Sequence, residues 1–398
     1  MNWYSTLISD TDLNSSLDAS LADIAKHGPG TGPELILVFV SGHPLEQISS
    51  IPEKILNKFS QCLVMGCTAG GVVGDGKEIE HHPALSLTAA WLPKVKLAPF
   101  HLGNEEALGL LNDPKKLQKV LGVQPQDHPE FILLPDPFSF DPASFLKALD
   151  ENFPGSGKIG GLASGARVPG ANRLFLKNRS YDSGLVGVAL SGDIEMDTLV
   201  AQGCRPIGMP MFITRGRGHL LLELDGHPAL QVLAELYQIL SPADRKLFQH
   251  SLFLGIAMRG HQQEYHAGDF LIRNLAGFVE DEGGIAVGAH LSEGQVVQFH
   301  LRDKDTSAHD LAAICRRYQM AHGAEGAPPQ GALLFSCLGR GVHLYGEPDH
   351  DSKLIKKHLG EIPIGGFFCN GEIGPVHHQT FLHGYTSSIG LFRKRNFK

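Results

Sequence analysis

The run Glu34-Leu-Ile-Leu-Val-Phe-Val40 decides how the rest of the chain is read. Uninterrupted apolar residues at strand length predict a β-strand covered on both faces. Moving outward, Ile48, Ile51, Ile55, Leu56 and Phe59 recur at helical spacing between Glu46 and Ser60, so a helix follows. A second strand, Cys62-Leu-Val-Met65, runs into Gly66-Cys-Thr-Ala-Gly-Gly71. A polar turn then leads to Ala84-Leu-Ser-Leu-Thr-Ala-Ala-Trp91.

The same order of elements recurs twice. Phe131-Ile-Leu-Leu134, a helix over Pro142–Asn152, Lys158-Ile-Gly-Gly-Leu-Ala-Ser-Gly165 and Leu185-Val-Gly-Val-Ala-Leu190 form the second copy. Ala332-Leu-Leu-Phe335, a helix near Asp351–Leu359, Pro363-Ile-Gly-Gly366 and Ser387-Ser-Ile-Gly-Leu-Phe392 form the third. First strand and glycines are separated by about 30 residues each time, the mark of a duplicated supersecondary unit. One helix per three or four strands, with tight connections between the last strands, predicts an α+β fold. The expected architecture is two domains of mixed sheets with helices packed on one face, built from repeated strand-helix-strand-hairpin units.

Between the second and third copies the pattern changes. Leu230, Leu233, Leu236 and Leu240 mark a buried helix face after Pro228. Strands are predicted at Leu252–Ala257, Phe270–Ile272, Gly284–Val287 and Val296–Leu301. Ser307-Ala-His-Asp310 reads as a capping box opening a helix over Leu311–Met320. The domain boundary falls between Gly192 and Gly218, giving domains over 25–205 and 206–398.

A chain of 398 residues with 42% apolar composition has enough material for two cores. A formal charge of -8 gives no whole-protein attraction for nucleic acid. The basic end Arg393-Lys-Arg395 with Lys398 reads as solvated. No apolar stretch reaches membrane-spanning length, and the N-terminus lacks the pattern of a signal peptide. Six scattered cysteines without a C-x-x-C pair read as reduced thiols of a cytoplasmic protein.

Ile362–Thr386 is the densest candidate for a site. Its glycines bend the backbone sharply or admit close approach, and they separate Asn370, Glu372, His383 and Thr386. Arg340, in Ser336-Cys-Leu-Gly-Arg-Gly341, follows a strand and could grip a carboxylate with both edges of its fork, or pair with a nearby acid. Arg302 and Arg273-Asn274 follow strands likewise. Glu372 suits a ligand ammonium group. Together with His300 and Cys337, these residues are expected to line a cleft that two domains close over a small ligand. His377-His378 read as exposed loop. Cys337 or Cys369 could serve a cysteine-dependent hydrolase only with a base and a depressed pKa.

Other chemistries find little footing. His261-Gln-Gln-Glu-Tyr-His266 misses both helical zinc patterns. Gly66–Gly71 and Gly160–Gly165 lack the dinucleotide and P-loop signatures, and their equivalent places make them strand exits facing a common cleft. Ser164 is not flanked as a nucleophile elbow requires. Haem needs only an axial ligand, for which His300, His343 and His383 are candidates.

Four C-terminal blocks in order carry a resemblance: Phe270-Leu-Ile-Arg-Asn274, Gly294-Gln-Val-Val-Gln-Phe-His-Leu-Arg-Asp303, Leu334-Phe-Ser-Cys-Leu-Gly-Arg-Gly341, and Gly366-Phe-Phe-Cys-Asn-Gly-Glu-Ile-Gly-Pro375 with His383-Gly-Tyr-Thr386. Gly66-Cys-Thr-Ala-Gly70 and Val200-Ala-Gln-Gly-Cys-Arg-Pro-Ile-Gly208 support it in the N-terminal half. The chain resembles the FIST proteins, sensory modules of bacterial signalling proteins and some eukaryotic F-box proteins. The resemblance implies a non-enzymatic intracellular sensor of a small ligand such as an amino acid or related acid. It also implies output through a separate signalling protein such as a histidine kinase, since no output domain follows the module here. A stand-alone subgroup associated with haem and nitric oxide implies a haem-binding alternative.

Overall fold

The structure is a computed structural model describing residues 1–260, 262–322 and 328–395. The chain forms two compact units: Met1–Ala201 with Leu311–Leu382 and Thr386–Lys398, and Gln202–Asp310 with His383–Tyr385.

The first unit is a threefold repetition. Its opening repeat comprises β1 (Asn2–Ile8), α1 (Leu13–His27), β2 (Leu35–Ser41), α2 (Leu45–Ile48), α3 (Ile51–Lys58), β3 (Leu63–Thr68), the hairpin strands β4 (Gly71–Gly74) and β5 (Lys77–Glu80), and β6 (Ala84–Trp91). The second follows the same plan with β7 (Val95–Leu102), α4 (Asn104–Leu108), α5 (Pro114–Leu121), β8 (Glu130–Pro135), α6 (Pro142–Asn152), β9 (Lys158–Gly161), β10 (Leu174–Leu176), β11 (Arg179–Tyr181) and β12 (Leu185–Gly192). The third begins with β13 (Glu195–Ala201) and is interrupted by the second unit.

That insertion contains β14 (Cys204–Arg217), β15 (Leu220–Leu224), β16 (His227–Pro228), α7 (Ala229–Ile239), α8 (Pro242–Phe248), β17 (Leu252–Ala257), β18 (Phe270–Val279), β19 (Gly284–Val287) and β20 (Val296–Arg302). The third repeat resumes through α9 (Lys304–His322), β21 (Gly331–Cys337), α10 (Val342–Tyr345), α11 (His350–Leu359), β22 (Ile364–Cys369), β23 (Glu372–Val376), β24 (Gln379–His383) and β25 (Ser387–Arg393).

Three sheets share one order: β1-β6-β2-β3-β10-β11, β7-β12-β8-β9-β23-β24 and β13-β25-β21-β22-β4-β5. Each repeat therefore supplies four strands of its own sheet and passes its hairpin to a neighbour, and the three transfers close a ring. The register repeats as well. Val38 pairs with Gly66, Leu133 with Gly160 and Leu334 with Gly366 in the parallel pairs β2–β3, β8–β9 and β21–β22. Phe175, Ile373 and Val73 of the visiting hairpins sit opposite those glycines. A Cβ at Gly66, Gly160 or Gly366 would lie 1.8, 1.8 or 1.9 Å from the facing carbonyl oxygen, so no larger residue fits.

Strand periodicity explains the unbroken apolar runs. Leu35, Leu37 and Phe39 join Ile132, Leu134, Leu333 and Phe335 in one core shared by all three sheets. Their neighbours Ile36, Val38 and Val40 face α1 and α3, Phe131 and Leu133 face α6, and Ala332 and Leu334 face α9 and α11. Alternate residues thus enter two separate apolar layers, and full burial of each large side chain contributes about 1.5–3 kcal/mol. The helices lie on one face of each sheet.

The second unit is antiparallel throughout. Its order β14-β20-β17-β18-β19-β15-β16, with β14 also paired to β15, closes the sheet on itself. Leu254, Ile256, Phe299 and Leu301 point inward with Leu233 and Leu236 of α7. Two expected helices differ in detail. The Glu46–Ser60 helix is split into α2 and α3, with Pro52 in the first turn of the latter. Helix α9 starts at Lys304 rather than after a capping box at Ser307–Asp310. Asp303 caps it by accepting from the Thr306 N–H at 2.7 Å, whereas the Ser307 hydroxyl donates to the Gly203 carbonyl.

Candidate functional site

Each parallel pair in the first unit ends in a loop, and the fourth residue past the register glycine is Gly70, Ser164 or Asn370. The three loops bond to one another. The Ser164 hydroxyl accepts from the Gly70 N–H at 2.9 Å and donates to the Phe368 carbonyl. Both the Ser164 and Gly165 N–H groups donate to the Thr68 carbonyl at 3.2 Å, and the Asn370 N–H donates to the Leu162 carbonyl at 3.2 Å. A buried network props the second loop: Asn172 donates to Asp136 at 2.9 Å and accepts from the Ala166 N–H at 2.9 Å.

Over this meeting point lies a cavity of about 550 Å³, lined by Ser41, Gly42, Ala69, Gly70, His81, His82, Phe138, Ser164, Gly165, Ala166, Arg167, Leu338 and Asn370. Its size suits a small molecule. Phe138 and Leu338 supply apolar surface, Ser164 and Asn370 neutral polar groups, and Arg167 a permanent positive charge. Among these described residues there is no carboxylate, so the electrostatic preference is for an anion. With both hydroxyl roles of Ser164 taken by the backbone, that side chain is a wall rather than a nucleophile.

A second hollow of about 660 Å³ is walled by β13, the Ile314–His322 part of α9, and Pro375–His378. Its carboxylates are already engaged. Arg393 bonds Glu195 at 2.8 Å and Asp197 at 2.7 Å, and Arg395 reaches Glu130 at 3.3 Å. These ion pairs correct the reading of Arg393 and Arg395 as solvated; Lys398 lies outside the described residues. Burial pushes the Glu130 carboxyl up to about 7, against the pull of the Gly157 N–H and Arg395.

The residues singled out in the sequence fall into both units. In the first unit, Arg340 is fully buried and grips Asp351 in bidentate fashion, Nε to Oδ2 at 2.8 Å and Nη2 to Oδ1 at 3.1 Å. It also donates to the Tyr345 hydroxyl at 2.6 Å. Asp351 accepts further from Ser336 at 3.1 Å and Ser387 at 2.7 Å. Burial alone would raise the Asp351 pKa, but the Arg340 charge outweighs it and holds the carboxyl well below its ordinary range. Glu78, carried in by the visiting β4–β5 hairpin, accepts from the Ser352 N–H and hydroxyl at 2.7 Å each. Burial, then the Asp351 charge, pushes Glu78 up to about 8.

Glu372 is buried and accepts from the N–H and hydroxyl of Thr386 at 3.1 and 2.8 Å. Cys337 joins them through its N–H, which donates to the Thr386 carbonyl at 3.0 Å. Cys369 is fully buried, and burial followed by the Glu372 charge raises its thiol well above the ordinary value. A thiol so raised is a poor nucleophile at neutral pH. Asn370 is the single member of the sequence-derived set that lines the strand-exit cavity.

In the second unit, Arg273 is half-buried and donates to its neighbour's carbonyl, that of Ile272, at 2.9 Å, while Asn274 is exposed. His300 is buried, its Nδ1 donating to the Gln298 carbonyl at 3.0 Å, and burial pushes its pKa down to about 4. Arg302 and His383 are buried too. His343, in the first unit, is exposed, as are His377 and His378. His261 lies outside the described residues. Arg167, His81, His82 and Phe138 were not foreseen, though each stands a few positions beyond a strand or hairpin end. The signal that could have found them is the equivalence of the glycine exits.

The FIST N domain matches residues 34–227 and the FIST C domain residues 229–375. An uncharacterized protein of Mycobacterium tuberculosis (strain H37Rv) is 35% identical over 364 residues, covering 91% of this chain and 92% of the relative. An F-box/LRR-repeat protein of Arabidopsis thaliana is 26% identical over 184 residues, 41% of this chain and 33% of that one. Among solved structures, a cyanuric acid hydrolase from A. caulinodans aligns over 99% of this chain and 100% of its own, with TM-score 0.35 and 8% identity. A likeness that low bears on neither fold nor chemistry. No helix among the described residues is long and apolar enough to cross a membrane.

Proposed function

We propose, from the premise that the chain belongs to the FIST family of sensory domains, that it is a cytoplasmic sensor binding a small acid, an amino acid or a relative of one, in the strand-exit cavity. One observation carries this reading. The cavity of about 550 Å³ holds Arg167 with His81 and His82 and has no carboxylate in its described lining. A ligand carboxylate would find a guanidinium for charge-assisted hydrogen bonds, imidazoles and the Asn370 amide for orientation, and Phe138 with Leu338 for an apolar side chain. Six free cysteines suit a reducing compartment. Occupancy biases the loops of all three repeats at once, and the signal passes to a separate signalling protein, a histidine kinase being the kind of partner expected.

Calorimetric titration against amino acids and small carboxylic acids tests the binding. The expected result is saturable binding by at least one acid, lost in Arg167→Ala. Silence across the panel would remove the small-acid claim.

A further inference from the structure

Arg302 ends β20 in the second unit and is only 7% exposed. Its Nε and Nη2 groups have no hydrogen-bond partner among the described residues. The adjacent carboxylate is committed elsewhere, since Asp303 accepts from Arg205 at 3.2 Å and from the Thr306 N–H and hydroxyl at 2.7 and 2.9 Å. The guanidinium lies instead over the Tyr385 ring, 5.3 Å from its centroid. Tyr385 packs on Phe253 at 4.3 Å and takes φ of 66°, a left-handed conformation unusual for a bulky residue. Cross-strand pairing of His300 with Phe253 sets His300, two residues before Arg302, on the same face. That imidazole is neutral at neutral pH, so it adds no competing cation.

A buried guanidinium with two unsatisfied N–H groups is destabilising until an acceptor reaches it. The Nε and Nη2 groups form the side-on edge of the arginine fork, whose parallel N–H bonds match the two oxygens of a carboxylate. We propose that this edge of Arg302, floored by Tyr385, is a bidentate binding point for a carboxylate-bearing small anion. It is separate from the strand-exit cavity and stands on different residues.

Thermal melts in which sodium acetate replaces sodium chloride at constant ionic strength test it, using the full chain, Arg302→Met, Arg302→Lys and Arg167→Ala. Acetate raises the wild-type Tm by about 2–4 °C. The response vanishes in Arg302→Met and persists in Arg167→Ala. In chloride, Arg302→Met melts no lower than wild type, because methionine removes an unsatisfied buried charge. If that variant fails to fold, Arg302→Lys keeps the charge without the fork and shows less than half the wild-type shift. A wild type indifferent to acetate overturns the proposal, and so does a response that survives in Arg302→Met. A response lost in Arg167→Ala but kept in Arg302→Met assigns the anion to the strand-exit cavity, which sinks this site and supports the other.

Discussion

Arg167 and Arg340 both follow a strand exit of the first unit, yet their surroundings are opposites. Arg167 is exposed on a cavity with no acidic lining residue. Arg340 is sealed in, with Asp351 on its fork and Glu78 behind that carboxylate. Arg167 follows β9 and Arg340 follows β21, so the two occupy different places in the repeat, one open to solvent and the other given to internal cohesion. Part of the acidic surroundings of Arg340 arrives on a visiting hairpin. The β4–β5 hairpin brings Glu78 and Glu80 to the third repeat, where Glu80 accepts from the Val342 N–H at 2.8 Å. The hairpin visiting the second repeat's sheet, β23–β24, carries Glu372, which is engaged by Thr386 and does not line the cavity.

The largest expected contrast is in stability. Asp351→Ala leaves Arg340 buried without its counterion and lowers unfolding free energy by about 3–5 kcal/mol in urea titration. Replacing Arg340 and Asp351 together by apolar residues of similar volume recovers much of that loss, which sharpens the assignment of the pair as one unit. Ser164→Ala, on the other side of the comparison, removes one acceptor and one donor from the loop junction and costs about 1–3 kcal/mol in the same titration.

Arg167→Ala reverses the pattern. It leaves stability within about 0.5 kcal/mol of wild type, as a surface change does, while acid binding weakens by roughly 10–100-fold in calorimetry. The smallest effect is a slope. Glu78 holds its proton in the folded chain up to about pH 8, against an ordinary value of 4.5. Its contribution is therefore full below the ordinary value and lost as pH rises toward 8. Glu78→Gln should flatten the fall in Tm between pH 5 and pH 8.5, and an unchanged slope would mean Glu78 is ionised throughout.

Much of the architecture was legible because strands buried on both faces leave continuous apolar runs, as at Leu35–Val40 and Phe131–Leu134. The three register glycines were visible for the same reason that they are required: a strand carbonyl occupies the space of a side chain. The exchange of hairpins was not legible, because Val72-Val73 reads as a strand whichever sheet receives it. Nor was the division of roles among arginines. Arg340 sits in a loop that reads as a ligand clamp, and its partner Asp351 opens a separate helix with no spacing rule to announce it. Arg167 drew no notice because a lone exposed arginine is ordinary until three loops meet beside it.

The ring of exchanged hairpins sets an order of events on the ribosome. Val72 and Val73 leave the ribosome about 290 residues before their partners Phe367 and Gly366. Until then the nascent chain carries a hairpin whose apolar strand β4 has an unclaimed edge, the kind of surface that invites aberrant association. Chaperone dependence during expression, and slow refolding after dilution from denaturant, would be the cellular and test-tube signatures of that wait.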